Sequence, residues 1–138
     1  MQVKYIYDWD SDKGVASCII YYNDSITGIG SATCHPVDND FKSEKTGKKI
    51  AQMRAEIDLI KKIKMFEIIP GIKAMKHVLG TMVHSSKYNE FSYEANRLKR
   101  EIQNSEMYLD SLNDTLESMK YELSNFINIK DMFYTAHR

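Results

Sequence analysis

Residues 28–57, GIGSATCHPVDNDFKSEKTGKKIAQMRAEI, hold the side chains best suited to handling a phosphate. Gly28 and Gly30 let another backbone or a ligand come close. Thr46, Gly47, Lys48, Lys49 and Arg54 put donors and positive charge over the first turns of a helix. No nucleophile is paired with a base here, and no metal-ligand spacing occurs, so binding is favoured over catalysis. Cys34 beside His35 invites a thiol nucleophile or a metal site, but neighbours on an extended strand point to opposite faces. A buried cysteine followed by a turn histidine is the plainer alternative. His77 and His84 share a helix face two turns apart, about 10 Å, too far to grip one metal ion. The acidic residues lie on solvated helix faces, and no motif sets a pair of them in a cleft. The expectation is a protein that is not an enzyme and needs no cofactor.

A second constellation lies in KYNEFSYEANRLKREI. Tyr88, Phe91 and Tyr93 offer flat apolar surfaces, Asn96 can read a base edge, and Arg97 and Arg100 can meet phosphate, the three things an adenine nucleotide needs together. Phe91 and Tyr93 serve equally well as core residues closing a helical hairpin. Among the basic residues, Lys61, Lys62 and Lys64 read as a solvated helix face. Arg54 lies between Met53 and Ala55 at the edge of an apolar stripe, where a guanidinium could turn into an interface.

The elements that must position these groups follow from periodicity. Val3, Tyr5, Tyr7 and Trp9 alternate with Gln2, Lys4, Ile6 and Asp8, the period of a strand. A turn over 10–14 leads to a strand over 15–22, and Asn23-Asp24 turns the chain into a third over 26–34. The expected result is a small antiparallel meander that needs a covering layer. After Pro36, Ile50, Met53, Ile57, Ile60 and Ile63 recur at steps of three and four and predict a buried helix face. Pro70-Gly71 should kink or break that helix, and Ile72, Met75, Leu79 and Met82 resume the pattern. Ala95, Ile102, Leu109, Leu116, Leu123 and Lys130 then fall seven apart. Leu98, Ser105, Leu112, Met119, Phe126 and Phe133 follow three after each. This heptad rod of about 70 Å either folds back on the preceding helix or packs on another chain, and both are expected. The fold class is α+β in a single domain over 1–138. An antiparallel sheet spans 1–36, a kinked helical arm 40–84 and a long heptad-bearing helix 89–136.

Composition sets outer limits. A chain of 138 residues suffices for a real core, and 19 Lys+Arg balance 19 Asp+Glu, which excludes a uniformly basic nucleic-acid coat. The balance is local only in part: residues 42–64 are predominantly basic and residues 101–122 predominantly acidic, so opposite faces could pair within or between subunits. Cys18 and Cys34 make no disulfide framework, the N-terminus lacks the apolar run of a signal peptide, and no stretch approaches the roughly 18 apolar residues of a membrane span. A cytoplasmic protein without a membrane partner is expected.

Two resemblances bear on function. GIGSATC followed by GKKIAQMRAEI resembles the end of a double-stranded RNA-binding domain, with Lys48 and Lys49 as the residues that carry over. That likeness covers about 30 residues, lacks the domain's N-terminal helix, and makes a small RNA-binding adaptor the alternative reading. Nearly the whole chain resembles the first described group of Thoeris anti-defence sponges, small phage proteins. The likeness runs through the N-terminal sheet, the strand GIGSATCHP, the helix KTGKKIAQMRA and the long C-terminal helices. It implies sequestration, without cleavage, of a cyclic ADP-ribose isomer, and possible capture of cyclic oligonucleotides of CBASS defence at separate sites. It also implies dimers and hexamers, the host cytoplasm as the place of action for a phage-encoded chain, and no long nucleic acid as partner. On residue type within these segments, Phe91, Asn96, Arg97, Arg100 and Arg54 are assigned to the cyclic ADP-ribose isomer. Cys34, His35, Thr46, Gly47, Lys48 and Arg54 are assigned to the cyclic oligonucleotide.

Overall fold

The computed structural model describes residues 3–33, 44–84 and 92–136, with side chains as far as 128. Strands β1 (Lys4–Asp10), β2 (Val15–Tyr21) and β3 (Thr27–Thr33) form one antiparallel sheet in the order β1-β2-β3. Helix α1 (Glu44–Ile63) follows, then a π-helical turn (Lys64–Ile68), α2 (Ile69–Val83) and α3 (Ser92–Ala136). The chain is α+β, with a small N-terminal meander, a kinked helix and a long C-terminal helix, as the periodicity predicts. Its contacts divide it into two compact units, one of residues 1–62 with 115–138 and the other of residues 63–114.

In the first unit, side-chain oxygens of turn residues close the hairpins. Asp10 Oδ1 accepts the amides of Asp12 and Lys13, and Gly14, at φ 67°, supplies the left-handed residue that completes the loop. Asn23 Oδ1 accepts the amides of Ser25 and Ile26 and turns β2 into β3. The register sets Tyr7, Cys18 and Gly30 in one row, with Trp9, Ala16 and Ala32 in the next, all on one face. Ala16, Cys18, Ile20 and Ala32 on that face are buried.

Helix α1 covers this face more closely than its isoleucines suggest. A Cβ on Gly30 would run into the carbonyl oxygen of Ala51 and the amide nitrogen of Ala55, and one on Gly28 would lie 2.7 Å from Leu59 Cβ. The stripe laid on the sheet is therefore Gly47, Ala51, Ala55 and Leu59, one residue every four, with both alanines fully buried. Of the residues predicted to face inward, Ile57 and Ile63 are buried, while Ile50, Met53 and Ile60 are half-buried. The difference is steric: a glycine strand is reached by a helix backbone only across small side chains.

A second stripe of α1 ties down the edge of β3. Arg54 Nη1 donates to Ser31 O at 2.8 Å, Asp58 Oδ2 accepts the Ile29 amide at 2.9 Å, and Lys62 Nζ donates to Thr27 O at 2.8 Å. Lys62 and Asp58 also pair with each other at 2.8 Å. Residues 54, 58 and 62 are one turn apart, as are the backbone groups they serve along alternate strand residues. Side chains thus satisfy three polar groups of an edge that would otherwise be open.

In the second unit the π-turn precedes Pro70. The Ile69 amide bonds to Lys64 O, five residues back, which widens the helix where proline has no amide to give and its ring would press on the preceding turn. Of the kink or break expected at Pro70-Gly71, the structure has a kink within a joined helix. Ile63, Ile72, Ala95, Ile102 and Leu112 are the buried apolar residues of this unit, and Lys76 bridges α2 to Glu106 of α3 at 3.4 Å. Along α3 the heptad positions are the ones turned inward. Ala95, Ile102, Leu112 and Leu116 are buried, and Leu98, Leu109, Met119, Leu123 and Phe126 are half-buried. Among the described residues no helix is long and apolar enough to cross a membrane.

Candidate functional site

Three elements of the first unit leave a cleft between them. The early turns of α1 contribute Lys45, Thr46, Lys48, Lys49 and Gln52, β1 contributes Tyr7, and α3 contributes Phe126; the volume is about 720 Å³. A smaller hollow of about 230 Å³ shares Lys49 and Gln52 and adds Met53 and Glu56 of α1 with Met119 and Glu122 of α3. The residue numbers on the two helices run in opposite senses along the cleft, so α3 passes α1 antiparallel here. The two faces of α1 follow from one periodicity: residues 47, 51, 55 and 59 meet the sheet, while residues 45, 48, 49, 52 and 56 look toward α3.

Charge is distributed unevenly along this space. Lys48 is paired with Glu44 at 3.0 Å, whereas Lys45 and Lys49 have no ion-pair partner among the described residues. Glu122 likewise has none there, although Lys49 lines the same hollow. The cleft therefore has a lysine end and a carboxylate end that do not neutralise each other. Between them runs a polar relay: Tyr7 Oη donates to Gln52 Oε1 at 2.9 Å, and Gln52 Nε2 donates to Glu56 Oε1 at 3.0 Å. The relay fixes the direction of the Gln52 amide.

Burial, first, and then the charges of Cys18 and Glu56 raise the Tyr7 phenol above its usual value of 10.0, with Lys48 acting in the opposite sense. Tyr7 thus remains a donor at neutral pH. Burial also raises the Cys18 thiol above 9.0, and Glu56 adds to the effect, so Cys18 is held as an inert thiol. Among the described residues no group of His, Cys, Asp and Glu could hold a metal ion. The lining side chains offer amines for an anion, aromatic rings for a flat face, and carboxylates for amino or ring N–H donors.

The residues assigned from sequence fall in several places. Thr46 and Lys48 line the cleft. Gly47 lies buried beneath the sheet-facing side of α1, where a Cβ would sit 3.1 Å from Trp9 Cζ3 and 3.2 Å from Ala16 Cβ. Its lack of a side chain serves packing. Arg54 is bonded to the β3 edge, and Gly28 and Gly30 admit the α1 backbone. Cys34, His35, Tyr88 and Phe91 lie outside the described residues. Asn96, Arg97 and Arg100 are exposed on α3 in the second unit, whereas Arg54 belongs to the first. Asn96 and Arg100 are one turn apart on the same face, and Arg97 pairs with Glu101 at 3.4 Å.

Tyr7, Lys45, Gln52, Glu56 and Phe126 entered no site assignment from sequence, and Lys49 entered only with the basic first turns of the helix and in the lysine pair of the RNA-binding likeness. Their signal was faint because they come from three separated elements. The one local clue is the spacing of Lys45, Lys48, Lys49, Gln52 and Glu56, which repeats at three and four and marks a polar helix face. No family of known sequences, no curated protein and no solved structure matches the chain.

Proposed function

We propose that the chain is a binding protein that captures small cyclic nucleotides and releases them uncleaved, acting as a sponge for immune signals. The ligands are cyclic ADP-ribose isomers of the Thoeris type and, at separate sites, cyclic oligonucleotides of the CBASS type. This reading rests on the cleft of about 720 Å³, whose size falls in the range of small-molecule sites. Lys45, Lys48 and Lys49 suit a pyrophosphate or ring phosphates, Tyr7 and Phe126 suit a base or ribose face, and Gln52 with Glu56 suits the donor-bearing edge of a purine. Asn96 and Arg100 offer an amide and a guanidinium for a further contact on α3.

Calorimetry with a cyclic ADP-ribose isomer and with a cyclic trinucleotide tests the reading, followed by chromatography of the ligand recovered from the complex. Micromolar or tighter binding with intact ligand is expected, and Lys49→Glu should weaken it at least about tenfold by replacing attraction with repulsion. Absence of binding by both ligands, or recovery of a cleaved product, would sink the proposal. Binding of duplex RNA that falls steeply with salt would favour an RNA-binding adaptor instead.

A further inference from the structure

The sheet has two edges that are treated differently. Arg54, Asp58 and Lys62 bond the outward Ser31 carbonyl, Ile29 amide and Thr27 carbonyl of β3, one group on each residue. Those groups point away from β2, so the pairs Tyr21↔Thr27, Ile19↔Ile29 and Ser17↔Ser31 are the close, unbonded ones of that ladder. The same β2 residues must then turn their backbone groups toward Lys4, Ile6 and Asp8. By alternation, Tyr5, Tyr7 and Trp9 direct their N–H and C=O outward from β1. No described residue bonds to them.

The sequence of this open edge is complementary to itself. If a second copy of β1 is laid antiparallel with Ile6 on the two-fold axis, Lys4 of each copy faces Asp8 of the other, Ile6 meets Ile6, and Tyr5 meets Tyr7. Lys4, Ile6 and Asp8 share the outer face of the sheet with Ile19 and Ile29, and Ile6 and Ile29 are 40% and 55% exposed. Pairing would join these into one apolar row across both sheets. Sliding the register by one pair in either direction sets Ile6 against a charged residue and loses one of these matches.

We propose that the β1 edge is the surface by which two copies of this chain associate, forming one continuous six-stranded antiparallel sheet. Tyr5 and Tyr7 exchange backbone hydrogen bonds across the axis, Ile6 forms the close unbonded pair at the centre, and two Lys4–Asp8 pairs fix the register. Strand addition stops at two copies, because each outer edge is a β3 held by α1 at Thr27, Ile29 and Ser31. Pairing also brings Tyr5 of the second copy next to Tyr7 at the rim of the cleft. This association does not depend on the ligand reading.

Sedimentation of the full chain at micromolar concentration, with circular dichroism as the folding control, tests it. The wild type should be a dimer. Lys4→Asp should raise the dimer dissociation constant about tenfold or more by setting like charges opposite each other, and Lys4→Asp with Asp8→Lys should restore it. Under mild oxidation Ile6→Cys should cross-link two chains, since residues across a close unbonded pair come within disulfide reach, while Lys4→Cys should not. A monomeric wild type, a dimer indifferent to Lys4→Asp, a defect that the charge swap leaves in place, or a dimer that Ile6→Cys fails to cross-link would each overturn the proposal.

Discussion

At Gly28, Gly30 and Gly47 of the first unit there is no room for a methyl group without movement, whereas at Gly71 and Gly80 of the second nothing described lies within 4 Å of the place a Cβ would take. The same residue type thus marks two opposite situations. In the first unit glycine is what allows α1 to lie against β3, with Ala51 and Ala55 as the small residues on the other side. In the second it sits inside a continuous helix, with open space beside it among the described residues. The sheet face beneath α1 buries Ala16, Cys18 and Ile20 completely, while the second unit leaves Met65 and Phe66 61% and 64% exposed.

The sharpest test of this contrast is Gly30→Val. The new side chain meets backbone atoms of Ala51 and Ala55, which cannot rotate away, so helix and strand must separate. A loss of about 3 kcal/mol or more is expected from denaturant unfolding. An unchanged midpoint would mean that α1 does not lie on β3 as described. Asp58→Ala comes next in size. It removes the acceptor of the Ile29 amide and the partner of Lys62 at once, and about 1–2 kcal/mol should be lost, moderated by water reaching the edge. Arg54→Ala should cost about 1 kcal/mol or less, since that side chain is exposed. It also decides between two roles. A lower midpoint with unchanged nucleotide affinity assigns Arg54 to the strand edge; the reverse result restores it to the ligand.

These comparisons show which parts of the molecule local sequence could reveal. The three strands, the kink at Pro70 and the inward face of α3 were legible because each follows from a short-range period or a single residue's geometry. Gly28 and Gly30 were legible as points of close approach, but their partner was not, since Ala51 and Ala55 are small residues scattered among larger isoleucines in the helix period. Arg54 illustrates the limit from the other side. Its position at the rim of an apolar stripe was visible, yet a guanidinium there serves a phosphate or a strand carbonyl equally well. The cleft was the least legible feature, because Tyr7, Lys49 and Phe126 are joined only by the fold. The relay from Tyr7 through Gln52 to Glu56 likewise spans β1 and α1.

A pH series separates the buried sheet face from the rest of the molecule. Burial raises Cys18 above 9.0, so the folded state holds its proton where the unfolded chain has lost it. Fewer protons on the unfolded state give a negative slope. The Cys18 contribution is therefore complete below pH 9.0 and is lost as pH rises through the folded value. Tyr5 and Tyr7, raised chiefly by burial, add a second decline above 10.0. Cys18→Ala should remove the first decline and leave the second, as read from unfolding midpoints between neutral pH and the alkaline limit. A stability that rises across this range would contradict the protonated thiol.

The smallest effect has the opposite sign and completes the contrast between the two units. Neither Gly71 nor Gly80 has a positive φ, and both lie in α2, so alanine fits the backbone they already adopt. Alanine there should stabilise by about 0.4–1 kcal/mol each, chiefly by restricting the unfolded chain and partly by its helix preference. Gly71 lies in the first turn, directly after Pro70 and the π-turn, where helix propensity counts for less. Gly80 carries the carbonyl that accepts the His84 amide at the end of the helix, and alanine leaves that bond intact. Gly80→Ala should therefore gain at least as much as Gly71→Ala. A loss at Gly80 would show that its open side faces something in the folded protein, a neighbouring copy or a ligand, that has no room for a methyl group.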